Sequence, residues 1–368
     1  MLAAFRGRID VHLQARARAE VDPVDERVDQ VIQRGLALPL LGVGRAEGLL
    51  DDLLDDLTDD VQARFDALDA RALEGPLTAY IGFDATADSL HAGSLVPIML
   101  LRLLQRTGHK PIVLMGGGTT KVGDPSGKDD ARQLLTDDRI QANIDGIKGV
   151  FQKFLRFGDG PTDAVMVNNA DWLTTIPMMN FLRDVGKHFS VNRMLDREAV
   201  SRRLDSTSGI SYTEFSYMLL QAMDYAELAE RHGCSLQIGG SDQWGNITAG
   251  IDLARRMRGV QLYGITCPLL TKSDGTKMGK TEKGAIWLAA DRTSPYAFYQ
   301  YWINDDDEVV LDHLRWLTLK SREDVAAIAA EHGMAIESCA EEGDWSALGI
   351  GRTNIYEKIK QYGLEPNR

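Results

Sequence analysis

The sequence is poor in cysteine, and it lacks a long apolar run. Its three cysteines, Cys234, Cys267 and Cys339, stand far apart in 368 residues, with no CxxC or Cys/His spacing. This spacing indicates neither a zinc site nor a disulfide framework, and it favours reduced cysteines in the core. No apolar stretch approaches the roughly 20 residues that a membrane-spanning helix needs. We therefore expect no membrane association.

Targeting signals and a surplus of positive charge are also missing. The N-terminus lacks a charged stub followed by an apolar segment and a cleavage site, and its arginines lie among acidic residues. This pattern predicts a cytoplasmic protein. The formal net charge of −13 argues against a general nucleic-acid binder, so any contact with RNA has to be local.

The length predicts two or three domains. We interpret residues 1–65 as a helical N-terminal extension without an assigned role, because Leu49–Asp60 alternates leucine and aspartate pairs with a period near four. That helix could bind a partner or pack, solvated, on its own domain. Residues 66–305 are interpreted as the main domain. Residues 306–368 are interpreted as a helical C-terminal region.

The main domain has an α/β pattern. The runs Leu77–Phe83 and Pro111–Met115 have the length of strands, and a helical pattern that begins at Leu90 lies between them. Strand, helix and strand in this order predict a parallel sheet with a right-handed crossover. Further strands are predicted at Ala164–Val167, Leu236–Ile238 and Leu262–Thr266. A doubly wound sheet follows, and such sheets bind ligands at the carboxyl ends of their strands.

The first candidate motif follows the first strand, within Asp84–Ser94. His91 and Gly93 are predicted in the first turns of a helix, where free N–H groups and a partial positive charge favour phosphate binding. The imidazole can donate to a phosphate oxygen, and the glycine lets a flat base approach the backbone. Alone this motif is weak, since a histidine near a helix start is often structural.

The second candidate motif is Lys277-Met278-Gly279-Lys280-Thr281, in a glycine-rich loop after the last strand. Two lysines beside a glycine suit a mobile clamp over a pyrophosphate leaving group. Standing alone, the motif would be interpreted as a solvated surface loop.

The third candidate motif is a set of polar residues on one helix, predicted at Thr213–Arg231. Tyr217, Gln221 and Asp224 stand at i, i+4 and i+7 and share one face. The rest of the helix is largely apolar, so the helix is predicted to be buried and these groups need partners. A core network and a polar ligand are equally good explanations.

Six runs in order resemble bacterial tyrosyl-tRNA synthetases, over about residues 66–320. The first and second motifs, about 185 residues apart, also resemble the paired signature of class I aminoacyl-tRNA synthetases. The resemblance implies a Rossmann-like catalytic domain over 66–305, with an inserted region near 150–215 that would serve the dimer interface and the tRNA acceptor stem. The runs are YIGFDATADSLHAGSL (80–95), MGGGTTKVGDPSGK (115–128), FLRDVGKHFSVNRML (181–195), ISYTEFSYMLLQAMDY (210–225), LQIGGSDQWGNITAGIDL (236–253) and KSDGTKMGKTEKGAIWL (272–288).

The resemblance also implies a role for individual residues in binding tyrosine. Tyr80 and Asp224 would hold the tyrosine hydroxyl group. The α-ammonium group would lie against three further side chains, with two others in support. These five residues are Asp124, Tyr217 and Gln221, supported by Asn168 and Gln237.

A second set of residues is implied for ATP. Thr86 and His91 would meet the γ-phosphate end, and Gly93, Asp242 and Gln243 would lie along the ribose and the reacting centre. The residues implied around the β- and γ-phosphates are Lys128, Arg132, Lys277, Lys280 and Thr281. Gly82, Asp84, Ser94 and Gly240 complete the set implied for ATP.

The implied function is that of a tyrosine–tRNA ligase. ATP would be a substrate with bound Mg²⁺, without zinc, a protein-held metal or a prosthetic group. L-Tyrosine and tRNA(Tyr) would be the other partners, and the family implies a homodimer. No S4-like RNA-binding domain is recognised after about residue 333, so tRNA binding is expected to be weakened.

Three other interpretations stay open. The chain could be a tyrosine-adenylating fragment that charges tRNA poorly, or a non-catalytic RNA-binding protein derived from a synthetase. A tryptophan-specific relative is the third. The basic residues of the segment Leu182–Asp205 could bind acceptor-stem phosphates or form an ordinary solvated surface.

Overall fold

The computed structural model describes residue 68 and residues 70–124, 135–195, 197–204, 209–273, 277–278, 280–281 and 284–332. The predicted helical extension 1–65 and residues 333–368 lie outside this part of the chain, as do Lys128 and Arg132. In the described part, no helix is both long and apolar enough to cross a membrane.

A parallel sheet of five strands forms the centre of the domain. Its order is β3-β2-β1-β4-β5, so the chain extends the sheet first on one side of β1 and then on the other. Such a reversal is the topological switch point of a doubly wound sheet. The fold class predicted from the sequence is confirmed, as are all five strands. The strands are β1 Thr78–Phe83, β2 Lys110–Met115, β3 Val165–Asn168, β4 Leu236–Gly240 and β5 Tyr263–Cys267.

Helices cover the sheet and continue beyond it. A short antiparallel hairpin of β6 and β7 follows the sheet in sequence. The helices are α1 Leu95–Arg106, α2 Asp137–Phe151, α3 Ala170–Leu173, α4 Met178–Asp184, α5 Val191–Leu195, α6 Glu198–Leu204, α7 Tyr212–His232, α8 Trp244–Arg258, α9 Pro295–Ile303, α10 Asp307–Leu317 and α11 Arg322–Glu331. The hairpin strands are β6 Lys280–Thr281 and β7 Gly284–Ala285.

The first crossover helix starts later than the sequence pattern predicts. Residues 92–94 form a tight 3-10 turn, and the α-helix begins at Leu95. It packs Ile98 and Leu101, both fully buried, into the core around the sheet. Gly108, at φ +90°, then turns the chain into β2. Thus His91 precedes the helix and does not lie in its first α-helical turn.

The longest helix, α7, is fixed at both ends. Ser211 and Glu214 form a reciprocal capping box at its start, and Gly233 ends it at φ +60°. The helix packs closely on α8, where a Cβ on Gly250 would lie 3.1 Å from the Tyr225 ring. The third motif of the sequence is therefore carried by a buried, well-anchored helix, as predicted.

The region interpreted as an insertion contains β3 and the short helices α3 to α6. Several of its large apolar side chains are exposed, among them Met178 at 71% and Met179 at 69%. Arg203, by contrast, is buried and ion-paired with Glu214 at 3.1 Å. One cation of the basic segment therefore belongs to the protein interior.

Two glycines of α2 provide a matched test of how this helix packs. A Cβ on Gly146 would lie 2.1 Å from the carbonyl oxygen of Asp88, whereas a Cβ on exposed Gly149 meets nothing within 4 Å. We expect Gly146→Ala to lower the free energy of unfolding by about 1–3 kcal/mol through overpacking. Gly149→Ala should raise it by about 0.5–1 kcal/mol, because alanine favours helix. Urea titrations of both variants would measure the difference, and equal effects would contradict this packing.

Candidate active site

Polar residues follow the carboxyl ends of the parallel strands and collect at one edge of the sheet. Asp84 and His91 follow β1, Asp124 follows β2, and Asp242 follows β4. The second motif, residues 277–281, follows β5. Because the strands are parallel, these loops meet at the same edge, so the topology brings together motifs that lie far apart in sequence.

Two buried polar side chains face each other across the switch point. Tyr80 of β1 and Gln237 of β4 are register partners in the sheet. Within the described residues, the Tyr80 hydroxyl and the Gln237 Oε1 are buried without a hydrogen-bond partner. Tyr80 also packs edge-on against Tyr225, with the ring centroids 5.2 Å apart. Buried polar atoms are normally paired, so this pair of groups indicates a ligand that supplies the missing partners.

Asp224 lies beside these groups, 2% exposed, at the centre of a hydrogen-bond network. Asn169 Nδ2 donates to one carboxylate oxygen at 2.9 Å, and Trp172 Nε1 donates to the other at 2.8 Å. Burial raises the pKa of Asp224 to about 7, although both hydrogen bonds oppose the increase. Burial also raises the pKa of Tyr80, and the nearby Asp224 adds to that effect.

The network continues from Asp224 to the loop after β1. The Asn169 amide also donates to Thr119 Oγ1 at 3.0 Å, and that hydroxyl donates to Asp84 Oδ1 at 2.9 Å. The backbone N–H of Gly118 fixes the other end of the amide, by donating to Asn169 Oδ1 at 2.7 Å. A chain of hydrogen bonds thus joins the loops after three strands.

The family resemblance implied a role for Asn168 and did not include its neighbour Asn169. Asn168 Oδ1 accepts from the N–H of Ala170 at 3.0 Å, a local contact within the turn. Asn169 is the residue that reaches Asp224. The position after the strand was the available signal, because a residue there sits at the ligand-binding edge of a parallel sheet. Trp172 and Thr119 were also missed.

A second polar cluster links the loop after β2 to the helices α7 and α8. Gln243 Nε2 donates to Asp124 Oδ2 at 2.9 Å, and Gln221 Nε2 donates to Gln243 Oε1 at 3.2 Å. Asn246 Nδ2 donates to Gln221 Oε1 at 3.0 Å and to Gln243 Oε1 at 3.2 Å. The cluster brings together three residues predicted from the sequence, and it adds Asn246, which lies one turn along α8 from Gln243. Tyr217, predicted with them, is buried on α7.

The first motif, at Gly93, and the second motif, at Met278, approach each other closely through their backbones. A Cβ on Gly93 would lie 2.8 Å from the carbonyl oxygen of Met278, so a larger residue at position 93 would push the two loops apart. His91 Nδ1 accepts from the N–H of Gly93 at 3.1 Å. A neutral His91 imidazole therefore carries its proton on Nε2, which can donate to a ligand.

The remaining predicted residues are distributed over β1, β4, β6 and the adjoining loops. Lys277 is exposed, with its Nζ 3.3 Å from Asp242 Oδ2, and Thr86 is exposed beyond β1. Ser94 makes no side-chain cap on α1. Lys280 and Thr281 form β6, Gly82 lies in β1, and Gly240 ends β4. Among the described residues, no cluster of three or more His, Cys, Asp or Glu side chains could hold a metal ion.

Taken together, the site has a buried and a rim part. The buried part presents a hydroxyl, an amide oxygen and a carboxylate beside the Tyr225 ring, which suits an aromatic group with a polar tip. The rim presents glycines, backbone N–H groups and the cation of Lys277, which suit a nucleotide with its phosphates.

Comparison with known proteins agrees with this geometry. Residues 72–343 match the family described as tRNA synthetases class I (W and Y). The tyrosine–tRNA ligase of Novosphingobium aromaticivorans is 58% identical over 273 residues, which cover 74% of this chain and 67% of the relative. The tyrosine–tRNA ligase of Xanthobacter autotrophicus is 56% identical over 298 residues, 80% of this chain and 71% of the relative. The chain thus spans about two thirds of the length of such relatives.

A solved structure gives the same result. The C-terminally truncated mitochondrial tyrosyl-tRNA synthetase of Aspergillus nidulans superimposes with a TM-score of 0.62 at 30% sequence identity. The superposition covers 70% of this chain and 76% of the fungal chain.

The raised pKa of Asp224 predicts how stability changes with pH. The folded pKa of about 7 lies above the unfolded value near 4, so folding takes up a proton between these pH values. This group therefore makes the protein less stable as pH rises from 4 to 7, by at most about 1.4 kcal/mol per pH unit. We expect Asp224→Asn to remove this slope, so the variant gains stability relative to wild type toward neutral pH. Urea titrations at several pH values would measure the free energy of unfolding of both proteins. If the two free energies changed with pH in parallel, the prediction would be contradicted.

Proposed function

The chain belongs to the family of class I tRNA synthetases for tryptophan and tyrosine, and from this premise we propose that it is a tyrosine–tRNA ligase. It would activate L-tyrosine with ATP to give tyrosyl-adenylate and pyrophosphate, and then pass tyrosine to the 3′ end of tRNA(Tyr). The observation that carries the proposal is the Tyr80 hydroxyl, which has no hydrogen-bond partner in the part of the chain that the structure describes and lies beside the buried Asp224.

A phenol fits these two groups better than the alternative aromatic substrates do. The hydroxyl of tyrosine can donate to Asp224 and accept from Tyr80 at the same time. The N–H of an indole can only donate, and phenylalanine offers neither function, so each would leave a buried polar group unpaired. A site built in this way rejects the analogue that lacks the hydroxyl, and tyrosyl-tRNA synthetase itself is the usual example of this rule.

The second polar cluster, around Asp124, Gln221 and Gln243, would recognise the α-ammonium group of the amino acid. The carboxylate of Asp124 would pair with the α-ammonium group, and Gln221 and Tyr217 would complete its hydrogen bonds. Gln243, which donates to Asp124, lies between this group and the rim. Tyrosine would then be held at both ends, with its carboxylate directed toward ATP.

The reaction requires no protein nucleophile. The tyrosine carboxylate attacks the α-phosphorus of ATP in line, the bond from that phosphorus to the bridging oxygen breaks, and pyrophosphate leaves with the electron pair. Positioning and charge stabilisation supply the rate enhancement. The N–H at His91 Nε2 would donate to a phosphate oxygen, Lys277 and Lys280 would stabilise the leaving group, and Thr86 would lie near the same oxygens. Lys128 and Arg132, which the resemblance implies for the same role, lie outside the described residues. Mg²⁺ would enter as part of the ATP substrate.

The second step needs tRNA, and the insertion offers a local basic surface. Lys187 and Arg193 are exposed there, while Arg183 is paired with Asp184 at 2.7 Å. These cations would contact acceptor-stem phosphates. We propose that the catalytic domain occupies residues 66–305 with its insertion near 150–215, and that the protein works in the cytoplasm.

We also propose a homodimer formed through the insertion. Its exposed apolar side chains are numerous for a free surface, and burying them against a second copy would be favourable. They are Met178, Met179, Leu182, Val191, Leu195 and Leu204.

Tyrosine-dependent exchange of labelled pyrophosphate into ATP, without tRNA, tests the activation step. We expect exchange with tyrosine and none with phenylalanine or tryptophan. Tyr80→Phe should raise the KM for tyrosine by roughly tenfold, because it removes one hydrogen bond to the substrate while leaving the ring in place. Its discrimination against phenylalanine should fall accordingly.

A control separates these effects from general damage. Tyr296→Phe removes the hydroxyl of a residue that is 71% exposed in α9, outside the site, and should leave the exchange unchanged. Folded wild-type protein that exchanges no pyrophosphate would overturn the enzyme proposal and favour a binding protein. Exchange without charging of tRNA would favour the adenylating fragment.

The dimer is tested by sedimentation equilibrium. The chain mass is 40.7 kDa, and we expect the wild type to sediment at twice this mass. The double variant Met178→Glu/Met179→Glu should shift the equilibrium to monomer, because it would bury two carboxylates in an apolar interface. Leu73→Glu, at a position that is 81% exposed outside the insertion, is the matched control and should stay dimeric. A monomeric wild type would contradict the proposal.

A further inference from the structure

The segment after the β6–β7 hairpin is joined to the first motif by backbone hydrogen bonds. The N–H of Ala92 donates to the carbonyl of Ile286 at 2.8 Å, and the N–H of Leu288 donates to the carbonyl of Leu90 at 2.8 Å. These two bonds enclose an antiparallel bridge between His91 and Trp287. His91 is therefore held by a residue that lies far beyond it in sequence.

The side chains of this segment form a stack that ends at the imidazole. The Trp287 ring meets His91 edge to face, with centroids 6.5 Å apart and planes at 68°. The guanidinium carbon of Arg292 lies 4.4 Å from the centroid of the Trp287 ring. Arg292 Nε lies 2.7 Å from Asp88 Oδ1, which forms an ion pair. The order of contacts is thus Asp88, Arg292, Trp287, His91.

The anchor of this stack is itself fixed. The backbone at Asp88 packs on α2, where a Cβ on Gly146 would lie 2.1 Å from the Asp88 carbonyl oxygen. The N–H of Ala289 donates to Ser89 Oγ at 3.2 Å, and the N–H of Trp287 donates to Thr293 Oγ1 at 2.8 Å. These bonds fix the backbone that carries the indole beside the imidazole.

We propose that Trp287 and Arg292 are positioning residues that hold the His91 imidazole for the adenylation step, an inference that rests on the function proposed above. The stack restrains the ring, whose Nδ1 accepts from Gly93, so that the Nε2 proton keeps one direction. Lys280 lies in β6, whose partner β7 runs directly into the bridge with His91. The same segment of backbone therefore connects the strand that carries Lys280 to the bridge at His91.

The test uses Trp287→Leu and Arg292→Gln in pyrophosphate exchange and in tyrosine binding without ATP. We expect kcat for exchange to fall by roughly tenfold or more, since small displacements of a catalytic group are costly. Tyrosine affinity should change less than twofold, because neither residue contacts the buried pocket. Arg139→Gln is the matched control. It removes the other cation facing Asp88, at 3.6 Å, and does not contact Trp287, so it should behave as wild type.

A double-mutant cycle shows whether the effect passes through His91. In the His91→Asn background, Trp287→Leu should lower kcat by less than twofold further, since the group that it positions is gone. An equal loss in both backgrounds would indicate a purely structural role and overturn the inference. Unchanged exchange in the single variants would overturn it as well.

A spectroscopic measurement keeps the two proposals separable. The chain has seven histidines, and the His91 signal in long-range ¹H–¹⁵N spectra is the one lost in His91→Asn. At a pH where the His91 ring is neutral, wild type should carry the proton on Nε2, and Arg292→Gln should move His91 toward averaged tautomers. An unchanged His91 signal would overturn the positioning role even if exchange proved absent. Absent exchange in wild type, with the expected spectra, would count against the ligase proposal alone.

Discussion

The buried carboxylate of Asp224 is the group around which the site is arranged. Taking a carboxylate out of water is expensive, and the two hydrogen bonds from Asn169 and Trp172 offset only part of that cost. The pKa of about 7 is the result of this balance. A further hydrogen-bond donor would offset more of the cost of burying the carboxylate, and a phenol is such a donor. In the proposed function, the room for a further donor at Asp224 and the choice of a phenolic substrate therefore have the same physical cause.

The fold was largely predictable because its signals are local. Each strand is a short apolar run, and α7 carries an apolar face with caps at both ends, so the five strands and α7 follow from sequence patterns alone. The start of α1 was less predictable. The 3-10 turn at residues 92–94 is held by a backbone bond from Ala92 to Ile286, a partner that no local pattern reveals.

Residue spacing alone indicates candidate site residues only where they repeat on one helix, whereas residues on other elements, such as Tyr80 and Asp124, were implied by the family resemblance. Gln221 and Asp224 share a helix face, so their spacing identifies them. Asn169 and Asn246 meet their partners only because strands and helices are brought together by the sheet, and the resemblance to the family implied Asn168 instead. Trp287 was likewise invisible as a neighbour of His91, since the pairing spans most of the domain.

The pairing of Tyr80 with Gln237 has a consequence for the order of folding. β1 pairs with β2 across one short crossover, whereas its pairing with β4 closes a much longer loop. Long loops cost more entropy to close, so the half containing β1, β2 and β3 is able to form first, and it also emerges first during synthesis. The candidate pocket is then completed only after this half has formed, because one of its walls arrives with β4. A half-folded chain would expose the edge of β1, where Tyr80 is already part of the strand.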